Sequence, residues 1–199
     1  MAARQNALSE LTRFWLEARH SCFIRESVPV PVPYGQSDID FMAFRADGSQ
    51  FELPSGHLVG PRLIIECKDE HDFDPKGNDF GKRLLGDVAA MSRSFVPATH
   101  AHKVAFTMLK QQHFEVAARI FGSEEFDRVF VVHALSDSVR QQVSDQLRQL
   151  RIHWITVHEL MADLGTWYKT HSRPSGLRHT LTGDIFHLLF GYCGMKGCS

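Results

Sequence analysis

Cysteine is scarce. The four thiols in 199 residues (Cys22, Cys67, Cys193 and Cys198) are too few and too scattered for a disulfide framework, and a reducing cytoplasm is the expected setting. Net charge is nearly absent: 22 Lys and Arg against 23 Asp and Glu leave −1, which excludes a protein that coats nucleic acid by bulk positive charge. Long apolar runs are missing too. The longest near the end, Ile185 to Phe190, is six residues and includes His187, far short of the roughly 18 that a membrane span needs. Arg4 is not followed by an apolar stretch, so no secretory signal and no membrane partner are expected. The phosphate loop G-x-x-x-x-G-K-[ST], the dinucleotide fingerprint G-x-G-x-x-G and the elbow G-x-S-x-G do not occur. His158-Glu159 opens like a zinc-protease helix, but Ala162 stands where the second histidine belongs. What remains is ordinary folded composition, 43% apolar and 23% charged, with no repeat or low-complexity tract.

Apolar periodicity organises the chain. Leu8, Leu11, Trp15 and Ala18 recur at helical spacing over residues 5–19. Residues 22–32 read as extended, with Pro29 and Pro31 (and Pro33 just beyond) making them an edge strand or an irregular connection. Residues 37–45 form a strand ending at the turn signal Asp47-Gly48, 50–53 a short strand, 54–61 a loop, and 62–68 a buried strand. After a polar loop over 69–79, a helix is predicted for 79–95. Strands over 103–109, 128–135 and 152–157 then alternate with helices over 113–121, 136–150 and 158–169. Alternation of this kind implies an α/β sandwich with part of its sheet parallel. Residues 1–170 read as one domain. Residues 171–199 read as an extension with a loop at Pro174-Ser175-Gly176 and a short helix over 183–190, docked on the core or serving an interface.

Alternate side chains of a strand share a face. Glu66 and Lys68 therefore point one way, with Ile65 and Cys67 opposite; Asp38 and Asp40 share one side, with Ile39 and Phe41 on the other. If the two strands pair, Asp40, Glu66 and Lys68 converge. Two hard carboxylates suit Mg²⁺ or Mn²⁺ completed by water and phosphate oxygens, and an adjacent ammonium can orient water or stabilise phosphoryl charge. The charges along the chain agree: residues 36–77 carry net −5, while 78–110 and 166–199 each carry +3. Both acids lie inside apolar runs, where an unpaired carboxylate is costly, so surface salt-bridge partners are the weaker reading. Cys67 reads as an inert core thiol. His133 and His153, in apolar strands, read as core or rim residues. His179, His187, Cys193 and Cys198 lack the paired spacing of a zinc site.

Ile39-Asp40-Phe41-Met42-Ala43 followed by Ile64-Ile65-Glu66-Cys67-Lys68 resembles the PD-(D/E)XK nuclease superfamily, an acid in one apolar strand and E-x-K at the end of the next. The resemblance spans about residues 8–95. It implies a restriction-endonuclease-like α/β core, a mixed sheet flanked by helices in α-β-β-β-α-β order. It also implies catalytic Asp40, Glu66 and Lys68, and a helix-borne glutamate on the metal: Glu10, with Glu17 seven residues on as the alternative. Three departures accompany it. Proline is absent before the first acid, and the helix reading LLGDVAAMSR has no glutamine. Asp40 and Glu66 are 26 positions apart, which calls for a hairpin extension around 50–60.

The expected function is a Mg²⁺- or Mn²⁺-dependent nuclease, DNA being favoured over RNA. Asp40, Glu66 and Glu10 would hold metal, Lys68 would assist the attacking water, and Lys82, Arg83 and Arg93 would contact phosphates. A homodimer or a larger repair or defence complex is the expected assembly. Two alternatives stay open: a catalytically silent module of the same fold that binds nucleic acid or a protein, and a small-molecule phosphodiesterase or defence effector awaiting a signal.

Overall fold

A computed structural model describes residues 7–33, 35–71, 80–89, 106–170 and 181–186. Helix α1 (Ala7–Phe14) runs into a π turn at Trp15–Arg19, and together they bury Leu8, Phe14, Trp15 and Leu16. Strands β1 (Cys22–Val32) and β2 (Gly35–Arg45) follow, then the small hairpin β3 (Phe51–Glu52) and β4 (Leu58–Val59), and β5 (Arg62–His71). Helix α2 (Phe80–Ala89), a 3₁₀ turn at Thr107–Leu109, α3 (Gln111–Phe121), β6 (Asp127–Ala134), α4 (Asp137–Gln149), β7 (Ile152–Thr156), α5 (Val157–Thr170) and α6 (Leu181–Phe186) complete the order.

Five strands form one sheet in the order β1-β2-β5-β6-β7, antiparallel from β1 to β5 and parallel from β5 to β7. Helices cover both faces, which is why β5 and β6 are apolar without alternation. Ile64, Phe130 and Val132 pack with Leu84 of α2, Ala117 of α3 and Leu147 of α4. On the other face Leu63, Ile65, Val129 and Val131 pack with Leu8 and Leu16 and with Leu160 and Leu164 of α5. The molecule is α/β, with a central mixed five-stranded sheet flanked by helices, consistent with a restriction-endonuclease-like fold. No helix among the described residues is long and apolar enough to cross a membrane.

Several expectations are met for visible reasons. β1 is the sheet edge, where Pro29 and Pro31 need no ladder partner on their outer side. The long interval between the acids holds the β3–β4 hairpin, entered through Gly48 at φ +67°. Asp127, at the start of β6, pins that hairpin to the sheet: it accepts Gly60 N–H at 2.7 Å and both Nε and Nη2 of Arg151 at 3.0 Å. The cost of burial is outweighed by His153, whose Nε2 lies 3.4 Å away, and by these donors, which together hold its pKa down at about 2.

Other expectations are corrected. The polar loop begins later than predicted, because β5 continues to His71. The strand predicted over 103–109 is not a strand in its described part. Thr107–Leu109 is a 3₁₀ turn, and β5 is already paired with β2 on one side and β6 on the other, so no sheet position was left beside it. Ile39 and Phe41 do not share a face: Ile39 joins the α3 side and Phe41 the α1 side. The β1–β2 ladder passes from Glu26–Phe41 to Val28–Ile39, skipping Ser27 and Asp40. Ser27 sits at φ +47°, and the local break rotates the strand at this point. The C-terminal helix is described over Leu181–Phe186 and packs on α1. The loop at 174–176, Arg93 and the set His179, His187, Cys193 and Cys198 lie outside the described residues.

Candidate active site

The β2–β5 ladder stops at Phe41–Ile65, and beyond it the two strands splay. Asp40 fills the gap: its Oδ2 accepts the Cys67 N–H at 2.7 Å, a side chain standing in for the lost backbone partner. Burial raises the Asp40 pKa to about 6, with the Cys67 N–H opposing and the nearby Glu66 charge reinforcing the shift. Removing the next residue's N–H from the ladder thus also places a carboxyl group where ionisation is disfavoured and a cation is welcome.

Glu66 is 2% exposed and its carboxylate is closely held. Oε1 accepts Thr107 N–H and Oε2 accepts Met108 N–H, both at 2.9 Å, and Lys68 Nζ lies 3.0 Å from Oε1. The 3₁₀ turn therefore spends two otherwise orphaned donors on a side chain of β5. Phe106 N–H, one residue earlier, donates to Asp87 of α2 at 3.2 Å. Residues 106–108 form a clasp between the sheet and α2. Burial would depress the Lys68 ammonium, but Glu66 in contact and Asp40 nearby outweigh it and raise its pKa.

Asp40, Glu66 and Lys68 are thus brought together. Arg83 of α2 is half-buried, and its charge is felt at Lys68. The Lys82 side chain and Arg93 lie outside the described residues. Glu10 is not gathered with the two acids: it lines an apolar groove of about 510 Å³ with Leu11, Glu17, Met161 and Ile185, on α1, α5 and α6. Glu17 lines the same groove and pairs with Arg13 at 3.4 Å. The face of α1 turned to β5 carries Ser9 and Thr12, both bonded to the Cys67 thiol. That thiol is pushed up to about 12 by burial, an inert group as expected. Among the described residues no group of three acidic, histidine or cysteine side chains gathers as a metal site.

Sequence reasoning missed an inner tier of ionisable groups. Lys110, 7% exposed, has its pKa lowered by burial, with Glu66 and Asp87 opposing and Lys68 reinforcing. His113 of α3 is fully buried, and its Nε2 lies 2.8 Å from Ser37 Oγ. Burial brings its pKa down to about 4. Charged or polar residues on a face that is otherwise core were the available signal: Lys110 and His113 flank α3's first turn, and Asp87 sits among Leu84, Leu85 and Val88.

No protein-family model matches the chain, and no curated protein does. Among solved structures it is similar to the crystal structure of a repair endonuclease from Pyrococcus abyssi. The two are 11% identical over 79% of this chain and 49% of that one, with a TM-score of 0.31. The chain spans about half the length of that protein. So slight a likeness adds nothing to the reading of the site, which rests on the side chains themselves.

Proposed function

We propose that the chain is a metal-dependent phosphodiesterase acting on nucleic acid, with Asp40 and Glu66 as carboxylates for Mg²⁺ or Mn²⁺ and Lys68 as the ammonium beside them. The observation that carries the reading is the splay of β2 from β5, with Asp40 across it on the Cys67 N–H and Lys68 3.0 Å from Glu66. The residues fit such an ion. Asp40 is a half-buried carboxyl group whose Oδ1 has no hydrogen-bond partner among the described residues, and Mg²⁺ is commonly held by one or two carboxylates with water and phosphate oxygens supplying the rest. When bound, the ion would activate water and neutralise charge on the phosphoryl oxygens. Lys68, kept protonated by Glu66 and Asp40, donates hydrogen bonds and balances charge at the same place. Arg83 of α2, whose charge is felt at Lys68, is suited to a phosphate approaching over that helix.

One observation favours a second reading, a silent module of the same fold. Both oxygens of Glu66 already accept backbone N–H groups and one also meets Lys68, so little of the carboxylate is left for a metal. Cleavage of plasmid, duplex, single-stranded DNA and RNA with Mg²⁺, Mn²⁺ or EDTA separates the two. The proposal expects metal-dependent cleavage that falls at least about 100-fold in Asp40→Asn and Lys68→Ala. A fully active Asp40→Asn protein refutes it. Nucleic-acid binding without cleavage under any metal favours the silent module.

A further inference from the structure

A second concavity, about 250 Å³, runs along β7, the last strand of the sheet. Four elements converge on it, α5 supplying Glu159. Helix α4 contributes Arg140, Ser144 and Arg148 at i, i+4 and i+8, one stripe of the helix. The loop of the β3–β4 hairpin contributes Ser55 and His57, and β7 contributes His153, whose ring meets that of His57 edge-on at 5.7 Å between centroids. Guanidinium groups, hydroxyls and imidazoles line it, and Trp154 supplies an aromatic wall.

The charge in this concavity is uneven. Its carboxylate, Glu159, is already spent: Oε2 accepts Thr156 N–H and Thr156 Oγ1 at 2.8 Å, and Oε1 accepts from Arg140 at 3.0 Å. Asp127, behind His153, is likewise committed to Arg151, Gly60 and His153. Arg148 is exposed and has no carboxylate partner among the described residues, and the buried Nε of Arg140 has no hydrogen-bond partner. Guanidinium N–H groups thus exceed the uncommitted carboxylate oxygens here, and the ligand that repairs such an imbalance is a compact polyanion.

We propose that this concavity is a phosphate-binding subsite, with Arg148 as its principal charge and the Ser55 hydroxyl as a further donor beside the His57 and His153 rings. The phosphate is carried either by a free nucleotide or by a nucleic-acid strand. The site lies two strands from β5 and does not depend on catalysis there.

The test is titration of inorganic pyrophosphate into the full chain, read by NMR at the ring protons of His57 and His153 and by calorimetry. Both imidazoles are expected to shift. Arg148→Glu should weaken binding at least about tenfold, whereas Arg148→Lys stays within about threefold of the parent. Arg148 is exposed, so both variants should keep the parent Tm and near-ultraviolet circular dichroism. A 5′-phosphorylated hexanucleotide and a mononucleotide then distinguish the sources, the tighter Arg148-dependent ligand being the carrier. Unmoved imidazole signals, or a folded Arg148→Glu protein that binds pyrophosphate like the parent, overturns the proposal.

Discussion

Glu66→Gln is expected to damage the fold as well as any activity, whereas Asp40→Asn is expected to spare it. Glu66 accepts one N–H on each oxygen and an ammonium besides. A glutamine keeps one acceptor and turns an NH₂ toward the other backbone donor, so one bond becomes a donor–donor contact and the partner of Lys68 loses its charge. Hydrogen bonds to charged groups contribute roughly 1.5–3 kcal/mol each, and a stranded buried donor costs about 1–3 kcal/mol. A loss of about 3 kcal/mol follows, or a Tm lower by roughly 6–12 °C for a chain of this size. Asp40 behaves oppositely. Its carboxyl group is already disfavoured as an anion, with a pKa raised to about 6 by burial, and an asparagine Oδ1 can still accept Cys67 N–H. Asp40→Asn should therefore leave stability unchanged or raise it near neutral pH, by up to about 3 kcal/mol for a pKa raised from 3.8 to about 6. Urea unfolding followed by tryptophan fluorescence measures both. A Glu66→Gln protein within about 0.5 kcal/mol of the parent refutes the clasp as a stabilising contact.

Two further outcomes follow from the same geometry. His113 has its pKa lowered to about 4 against an ordinary 6.5, so it is neutral in the folded chain but binds a proton when unfolded. Stability should accordingly fall as pH drops from about 6.5 toward 4, by up to about 3 kcal/mol, and His113→Gln should flatten that limb in urea titrations across pH; an unchanged slope sinks this assignment. Glu10→Gln and Glu17→Gln, both on the apolar groove of α1, should leave any metal-dependent cleavage within about twofold of the parent. Loss of metal binding in Glu10→Gln would mean that α1 turns toward the splayed strands when the ion enters.

Local pattern alone determined much of this protein. Apolar runs over Ile64–Ile65 and Val129–Val132, separated by helical periodicity, predict buried neighbouring strands, and strand alternation puts Glu66 and Lys68 on one side. The long spacing between Asp40 and Glu66 demands an inserted hairpin, which β3 and β4 supply. Other features needed the assembled molecule. Residues 107–109 are apolar enough to read as a strand, but their N–H groups find Glu66, 41 and 42 positions earlier, because both sides of β5 are taken. One residue of helical phase decides that Ser9 and Thr12, not Glu10, meet Cys67. The break opposite Ser27 separates Ile39 from Phe41. The stripe of Arg140, Ser144 and Arg148 is visible in the chain, but its meeting with His57 depends on Asp127 pinning a distant hairpin. Periodicity reports which way a side chain leaves its own element. What it meets there is set by the packing of elements far apart in sequence.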